Sequence, residues 1–92
     1  MDEDWFEFSA QEGNTYIIVI NGYMSNVVSL FNMDGTTLIT ENETEIYPFL
    51  GYSVESTILW ECVDSGSYFF SVRGLDNYDD MGYYQIAVTA VQ

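Results

Sequence analysis

Two acidic stretches carry the side chains best suited to bind a cation. "DED" at 2–4 runs straight into Trp5, and "DNYDD" covers 76–80. Calcium takes about six to eight oxygen ligands, many of them from carboxylates. Side chains alternate along a strand, so Glu3 points away from its two neighbours and at most two carboxylates of "DED" converge. The predicted calcium set therefore joins both stretches: Asp2, Asp4, Asp76, Asp79 and Asp80. The alternative interpretation is a solvated start of a strand and a polar acidic loop.

Catalytic chemistry has little support in the residue types. The chain contains no His and one basic residue, Arg73, so it lacks histidine-based triads and a Schiff-base lysine. Cys62 is the single cysteine and cannot form an intramolecular disulfide. Fifteen acids guarantee chance pairs of carboxylates, so such a pair does not by itself predict glycoside hydrolysis. We predict that the domain is not an enzyme.

The net charge of −14 limits the partners. Nucleic acid is excluded, because neutralising phosphates takes lysine and arginine. Anionic membrane surfaces are disfavoured for the same reason, and no apolar run approaches the ~18 residues of a membrane span. Three roles for the acids remain open: solubility, cation binding, and attraction to a basic partner.

Aromatic residues make up 17% of the chain, and their alternation divides them into two groups. One group is predicted to face the core: Phe6, Phe8, Tyr16, Trp60, Tyr68, Phe70 and Tyr84. The outward group supplies a predicted partner-binding surface of Trp5, Tyr47, Tyr52, Phe69, Tyr78 and Tyr83; Tyr23, Phe31 and Phe49 share its orientation. An exposed aromatic patch would indicate a binding site for protein or sugar. Cross-strand pairs that merely cover the sheet are the alternative.

Short alternating runs separated by Gly, Asn and Asp predict an all-β domain over 1–92. Asn21-Gly22 and Asp34-Gly35 are strong hairpin signals, because both dipeptides suit a type I′ turn, and Asp34-Gly35 also suits a bulged turn. Residues 41–56 contain the single proline and are interpreted as a long connection with an edge strand around 45–47. The other predicted strands cover 4–10, 15–20, 26–32, 36–40, 57–63, 67–73 and 83–91. Seven or eight strands in this length are typical of an antiparallel two-sheet sandwich.

Five segments resemble, in order, the bacterial pre-peptidase C-terminal domain family: "DEDWFEF", "EGNTYIIVI", "VSLFNMDGTTL", "ILWECVDSGSYFFSV" and "GYYQIAV". The resemblance implies a jelly-roll-like β-sandwich, without catalytic activity, attached to secreted peptidases and other exported proteins of bacteria and archaea. A related domain, the collagen-binding domain of clostridial collagenases, binds calcium near its N-terminal linker and collagen through surface tyrosines. Its calcium site also uses acids and an asparagine that precede the D-x-D, so these residues imply only part of such a site.

The expected function is that of an accessory domain, cut from a larger exported protein and located outside the cell. It would aid the secretion or solubility of a parent peptidase or hydrolase, or bind a protein or polysaccharide surface. The alternatives are a carbohydrate-binding module and a purely structural domain of a surface protein. Calcium is the one expected cofactor, and Cys62 is expected to be a packing residue.

Overall fold

Seven antiparallel strands form the part of the chain that the computed structural model describes, which is residues 3–22, 26–44, 54–74 and 84–91. The strands are β1 (Glu3–Ala10), β2 (Thr15–Gly22), β3 (Asn26–Phe31), β4 (Leu38–Thr44), β5 (Val54–Glu61), β6 (Gly66–Gly74) and β7 (Tyr84–Val91). None of the described residues belongs to a helix of the length and apolarity that a membrane crossing needs.

The strands form two sheets, a four-stranded sheet in the order β1-β6-β3-β4 and a three-stranded sheet in the order β5-β2-β7. The chain passes from one sheet to the other at every connection except the β3–β4 hairpin. The predicted antiparallel β-sandwich is confirmed, with seven strands in the described ranges. β2 lies between two partners, which agrees with the apolar residues on both of its faces.

The core fills the space between the sheets with side chains from alternate positions of each strand. Its main cluster consists of Ile18, Ile20, Val28, Leu30, Ile58, Phe70 and Val72, and a second cluster consists of Ala10, Tyr16, Cys62 and Tyr68. Full burial of one such side chain contributes about 1.5–3 kcal/mol. The inward assignment of Cys62 is confirmed, and its thiol donates a hydrogen bond to the Asp64 carbonyl at 3.1 Å.

The predicted hairpin at Asp34-Gly35 is confirmed as the β3–β4 connection. Gly35 has φ +74°, whereas no described residue other than glycine has a positive φ, so the turn is of the bulged kind rather than type I′. The Asp34 carboxylate accepts hydrogen bonds from the Thr37 hydroxyl and from two backbone N–H groups, which lowers the pKa of that carboxyl to about 2. The pairing of β3 with β4 changes register between Leu30 and Phe31, so that Leu30 pairs with Thr40 and Phe31 pairs with Leu38.

The predicted hairpin turn at Asn21-Gly22 is wrong. Both residues continue β2, where Asn21 pairs with β5 on one side and with β7 on the other. The dipeptide signal is local, and it fails here because β2 and the following β3 belong to different sheets.

The predicted connection at 41–56 is also wrong at both ends. β4 continues to Thr44, and β5 begins at Val54. The sequence pattern missed the second half of β4 because Glu41 and Glu43 are charged and are interpreted, from the sequence alone, as part of a loop. An edge strand can carry such acids on its exposed side. The edge strand predicted around 45–47 lies outside the described residues.

A candidate binding surface on the four-stranded sheet

The outer face of the four-stranded sheet begins with a row of side chains on β1. Because side chains alternate, Phe6 and Phe8 point into the core while Glu3, Trp5 and Glu7 point outward. The two glutamates are exposed, and 49% of the Trp5 side chain is exposed as well, which is a large fraction for an indole. Alternation in β1 therefore places one aromatic ring between two carboxylates on the surface.

Trp5 meets a second aromatic ring across the sheet. Its ring centroid lies 5.0 Å from that of Phe31 on β3, with the planes tilted by 39°. Because β6 lies between β1 and β3, the two rings meet above β6. Phe69 of β6 pairs in register with Phe31 and is half-buried. Of the predicted partner-binding residues, the structure thus brings Trp5 and Phe69 to one face, together with Phe31.

Two serines fill the space beneath these rings. Trp5 pairs in register with Ser71, and Ser71 pairs with Ser29 on the next strand. Both serines are buried although they point outward, because their small side chains leave room for the indole to cross. The Ser29 hydroxyl donates to the Glu41 carboxylate at 2.7 Å. The Ser71 hydroxyl has no hydrogen-bond partner among the described residues.

Carboxylates border this face on both sides. Glu3 and Glu7 project from the edge strand β1, and Glu41 and Glu43 project from the opposite edge strand β4. All four are exposed. Arg73 on β6, the single base of the chain, pairs in register with Glu3 and is half-buried. The described part of the face thus carries four carboxylates against one guanidinium. We call Trp5, Phe31, Phe69 and the four glutamates the acidic-aromatic face.

Asp4 is the one predicted calcium ligand that the structure describes. Its carboxylate accepts a hydrogen bond from the Tyr84 hydroxyl, and this contact joins β1 to β7 across the two sheets. Burial, together with the Asp4 carboxylate, raises the pKa of the Tyr84 phenol above its ordinary value. The alternative interpretation is a solvated strand start in which Asp4 bonds backbone groups of a neighbouring turn. The structure differs in the partner, because the exposed Asp4 carboxylate bonds the side chain of Tyr84 on β7.

The remaining calcium residues, Asp2, Asp76, Asp79 and Asp80, lie outside the described ranges. Within those ranges, no three acids, cysteines or histidines come together in a way that could hold a metal ion. The calcium site therefore stays a prediction. The aromatic residues Tyr47, Tyr52, Tyr78 and Tyr83 also fall outside the description, as do Tyr23 and Phe49.

A shallow pocket of about 220 Å³ lies beside the β3–β4 hairpin. Its lining residues are Asn32, Ile39, Trp60, Val63, Asp64 and Tyr68. The Tyr68 hydroxyl donates to the Asp64 carbonyl at 2.5 Å, and burial raises the pKa of this phenol. The phenol therefore stays neutral at pH 7 and is engaged in holding the turn. The sequence pattern assigned Trp60 and Tyr68 to the core and did not indicate this pocket.

Comparison with protein families, with curated proteins and with solved structures finds no match to this chain. The fold and the surface together define a class: an antiparallel β-sandwich domain with an acidic-aromatic outer face. The signal that could have found this face was present in the sequence. It is the alternation Glu-x-Trp-x-Glu at 3–7, with Phe31 and Phe69 outward on two other predicted strands.

Proposed function

We propose that this domain is a non-catalytic binding module, which attaches a parent peptidase or other exported hydrolase to a protein or polysaccharide surface outside the cell. The observation that carries the proposal is the half-exposed Trp5 indole, which packs on Phe31 above β6 on the outer face of the four-stranded sheet. A large aromatic side chain that is half in water leaves apolar area that a partner can bury.

The parent context rests on the five segments that resemble the pre-peptidase C-terminal domain. The all-β sandwich agrees with that resemblance, but a fold of this kind serves many functions. Aid to the secretion or solubility of the parent chain belongs to the same proposal, since a net charge of −14 favours solubility. Calcium bound by Asp2 and Asp4 with Asp76, Asp79 and Asp80 also belongs to it.

The non-catalytic part of the proposal is supported by the residue types. The chain has no histidine or lysine, and the thiol of Cys62 is buried in the core. The two phenols discussed above have raised pKa values, which keeps them protonated at neutral pH. These groups are poor nucleophiles and poor general bases.

Retention on insoluble collagen, chitin and cellulose tests the binding role. We expect wild-type domain to be retained on at least one of these, and Trp5→Ala to abolish retention. Leu59→Ala is the matched control, because Leu59 is 68% exposed on the outer face of the other sheet. It should leave retention unchanged while circular dichroism shows that both variants are folded.

Two results would change the conclusion. Retention on a polysaccharide but not on collagen would replace protein attachment with carbohydrate binding, the alternative kept from the sequence. Failure of retention on all three materials, or an equal effect of both alanine variants, would remove the acidic-aromatic face as the binding surface.

A further inference from the structure

The row on β1 has a defined spacing. Alternate residues of a strand lie about 6.6–6.8 Å apart on one face, so Glu3 and Glu7 stand about 13 Å apart with Trp5 midway. All three side chains are exposed and belong to an edge strand, whose outer side has no strand partner among the described residues. A ligand that lies along β1 would therefore meet a carboxylate, an indole and a carboxylate in turn.

The two outer faces of the sandwich differ in charge. On the three-stranded sheet, the outward residues of β2 and β7 include Ile17, Val19, Ala87 and Val91 but no acid. The carboxylates of that face, Glu55 and Glu61, sit at the two ends of β5. On the acidic-aromatic face, by contrast, carboxylates border the aromatic rings from both edge strands. Charge complementarity therefore favours a cationic ligand on this face in particular.

The buried hydroxyl of Ser71 adds a second, independent observation. Its relative exposure is 0%, it lies in the same row as Trp5, and it lacks a hydrogen-bond partner among the described residues. A buried polar atom of this kind is uncommon in folded proteins and calls for a physical reason. A donor that reached under the edge of the indole would satisfy the Ser71 oxygen. A guanidinium suits this position better than an ammonium, because it carries five N–H donors on a flat group, whereas an ammonium is a compact, strongly hydrated charge.

We infer that the acidic-aromatic face binds an extended, arginine-containing segment of a partner protein. A guanidinium stacks on the exposed side of Trp5, and the flanking Glu3 and Glu7 pair with basic residues at alternate positions of the segment. Stacking and ion pairing favour the same ligand group, because arginine combines a planar cation with bidentate donors. This inference rests on the proposed function, since it names the partner chemistry of the same face.

The test uses a dye-labelled peptide that alternates arginine and serine, titrated with the 92-residue chain at low salt and followed by fluorescence polarisation. Trp5→Ala removes the stacking partner, and Glu3→Gln with Glu7→Gln removes two charges while keeping side-chain size. The matched control is Glu55→Gln with Glu61→Gln, which removes the same charge from the other sheet. We expect the first two variants to raise Kd at least about tenfold and the control to change it less than about twofold.

A second peptide series separates the ligand chemistries. Replacing arginine by lysine should weaken binding, and replacing it by glutamate should abolish binding. Absence of binding by the arginine peptide, no effect of Trp5→Ala, or equal effects of the two glutamine pairs would each overturn the inference. Equal effects would mean that the peptide responds only to net charge.

The two proposals fail in different ways. If Trp5→Ala abolishes retention on collagen or a polysaccharide while the arginine peptide does not bind, the binding role stands and the cationic partner is excluded. If Trp5→Ala affects neither assay, both proposals are overturned.

Discussion

The aromatic side chains in the described ranges form two groups on opposite sides of the four-stranded sheet. The inner group is a continuous cluster in which Phe8 contacts four other rings at centroid distances of 5.7–6.3 Å: Tyr16, Trp60, Tyr68 and Phe70. The outer group consists of Trp5, Phe31 and Phe69. The inner rings are enclosed by two sheets, whereas the outer rings have a sheet on one side and water on the other.

This difference separates two kinds of contribution. Removing an inner ring leaves a cavity that the surrounding sheets cannot fill, so the cost appears in the free energy of unfolding. Removing an outer ring leaves space that water fills, so the cost to stability is smaller and the effect appears in binding. The same residue type therefore has two roles in one small domain, and the side of the strand decides which role applies.

The largest effect is expected for Phe70, which is 2% exposed and stacks on Phe6 at 5.0 Å. Phe70→Ala should lower the free energy of unfolding by about 3–5 kcal/mol. Because small domains are stable by only about 5–15 kcal/mol, urea denaturation should show a much reduced midpoint. Phe70→Leu keeps most of the volume and should cost clearly less. A cost below about 1 kcal/mol for the alanine variant would contradict the enclosed position of this ring.

A smaller stability effect is expected for Trp5→Ala, at about 1–2 kcal/mol by urea denaturation. Half of the indole is already in water, so less apolar area is lost than at a buried site. Removal of the ring also opens the Ser71 hydroxyl to water, which offsets part of the loss. A cost equal to that of Phe70→Ala would show that the outer ring serves the fold rather than a partner.

Two buried serines, one inside the sandwich and one under the outer rings, differ in their hydrogen bonding. The Ser56 hydroxyl donates to the Asn26 side-chain oxygen at 2.8 Å inside the sandwich, whereas the Ser71 hydroxyl under the outer rings lacks a partner in the described ranges. Ser56→Ala should therefore destabilise the domain by about 1 kcal/mol, and Ser71→Ala should stabilise it by about 1 kcal/mol. Thermal unfolding of both variants gives the two signs. A loss of stability in Ser71→Ala would mean that its hydroxyl is satisfied in solution.

The sequence pattern predicted which way the side chains of each strand point better than it predicted which strands pair with one another. Alternation assigned Phe6 and Phe8 inward and Trp5 outward, because the two faces of a strand are a local property of the chain. The pairing of Asn21 within β2 could not be predicted, since it depends on which distant strands lie beside it. The contact between Trp5 and Phe31 has the same origin, because it crosses β6, which comes much later in the sequence.

The smallest effect on stability is expected at Tyr84, whose ring packs against the core while its hydroxyl reaches Asp4 at the rim. Tyr84→Phe keeps the ring and removes the hydrogen bond between β7 and β1, so it should cost about 0.5–1 kcal/mol at pH 8. Asp4→Asn keeps an acceptor oxygen and should cost less. Urea denaturation measures both variants, and equal costs would show that the hydrogen bond depends on the charge of the carboxylate.

The contribution of Tyr84 to the free energy of unfolding is expected to decrease at high pH. The pKa of the Tyr84 phenol is raised in the folded domain, first by burial and then by the Asp4 carboxylate, while the unfolded chain has the ordinary value near 10. The unfolded state therefore loses the proton first, so the contribution of Tyr84 is complete below about pH 10 and declines as the pH rises above it. The difference in stability between wild type and Tyr84→Phe should accordingly shrink between pH 8 and about pH 11. A difference that stays constant over this range would mean that the hydroxyl titrates as it does in water and does not join the two sheets.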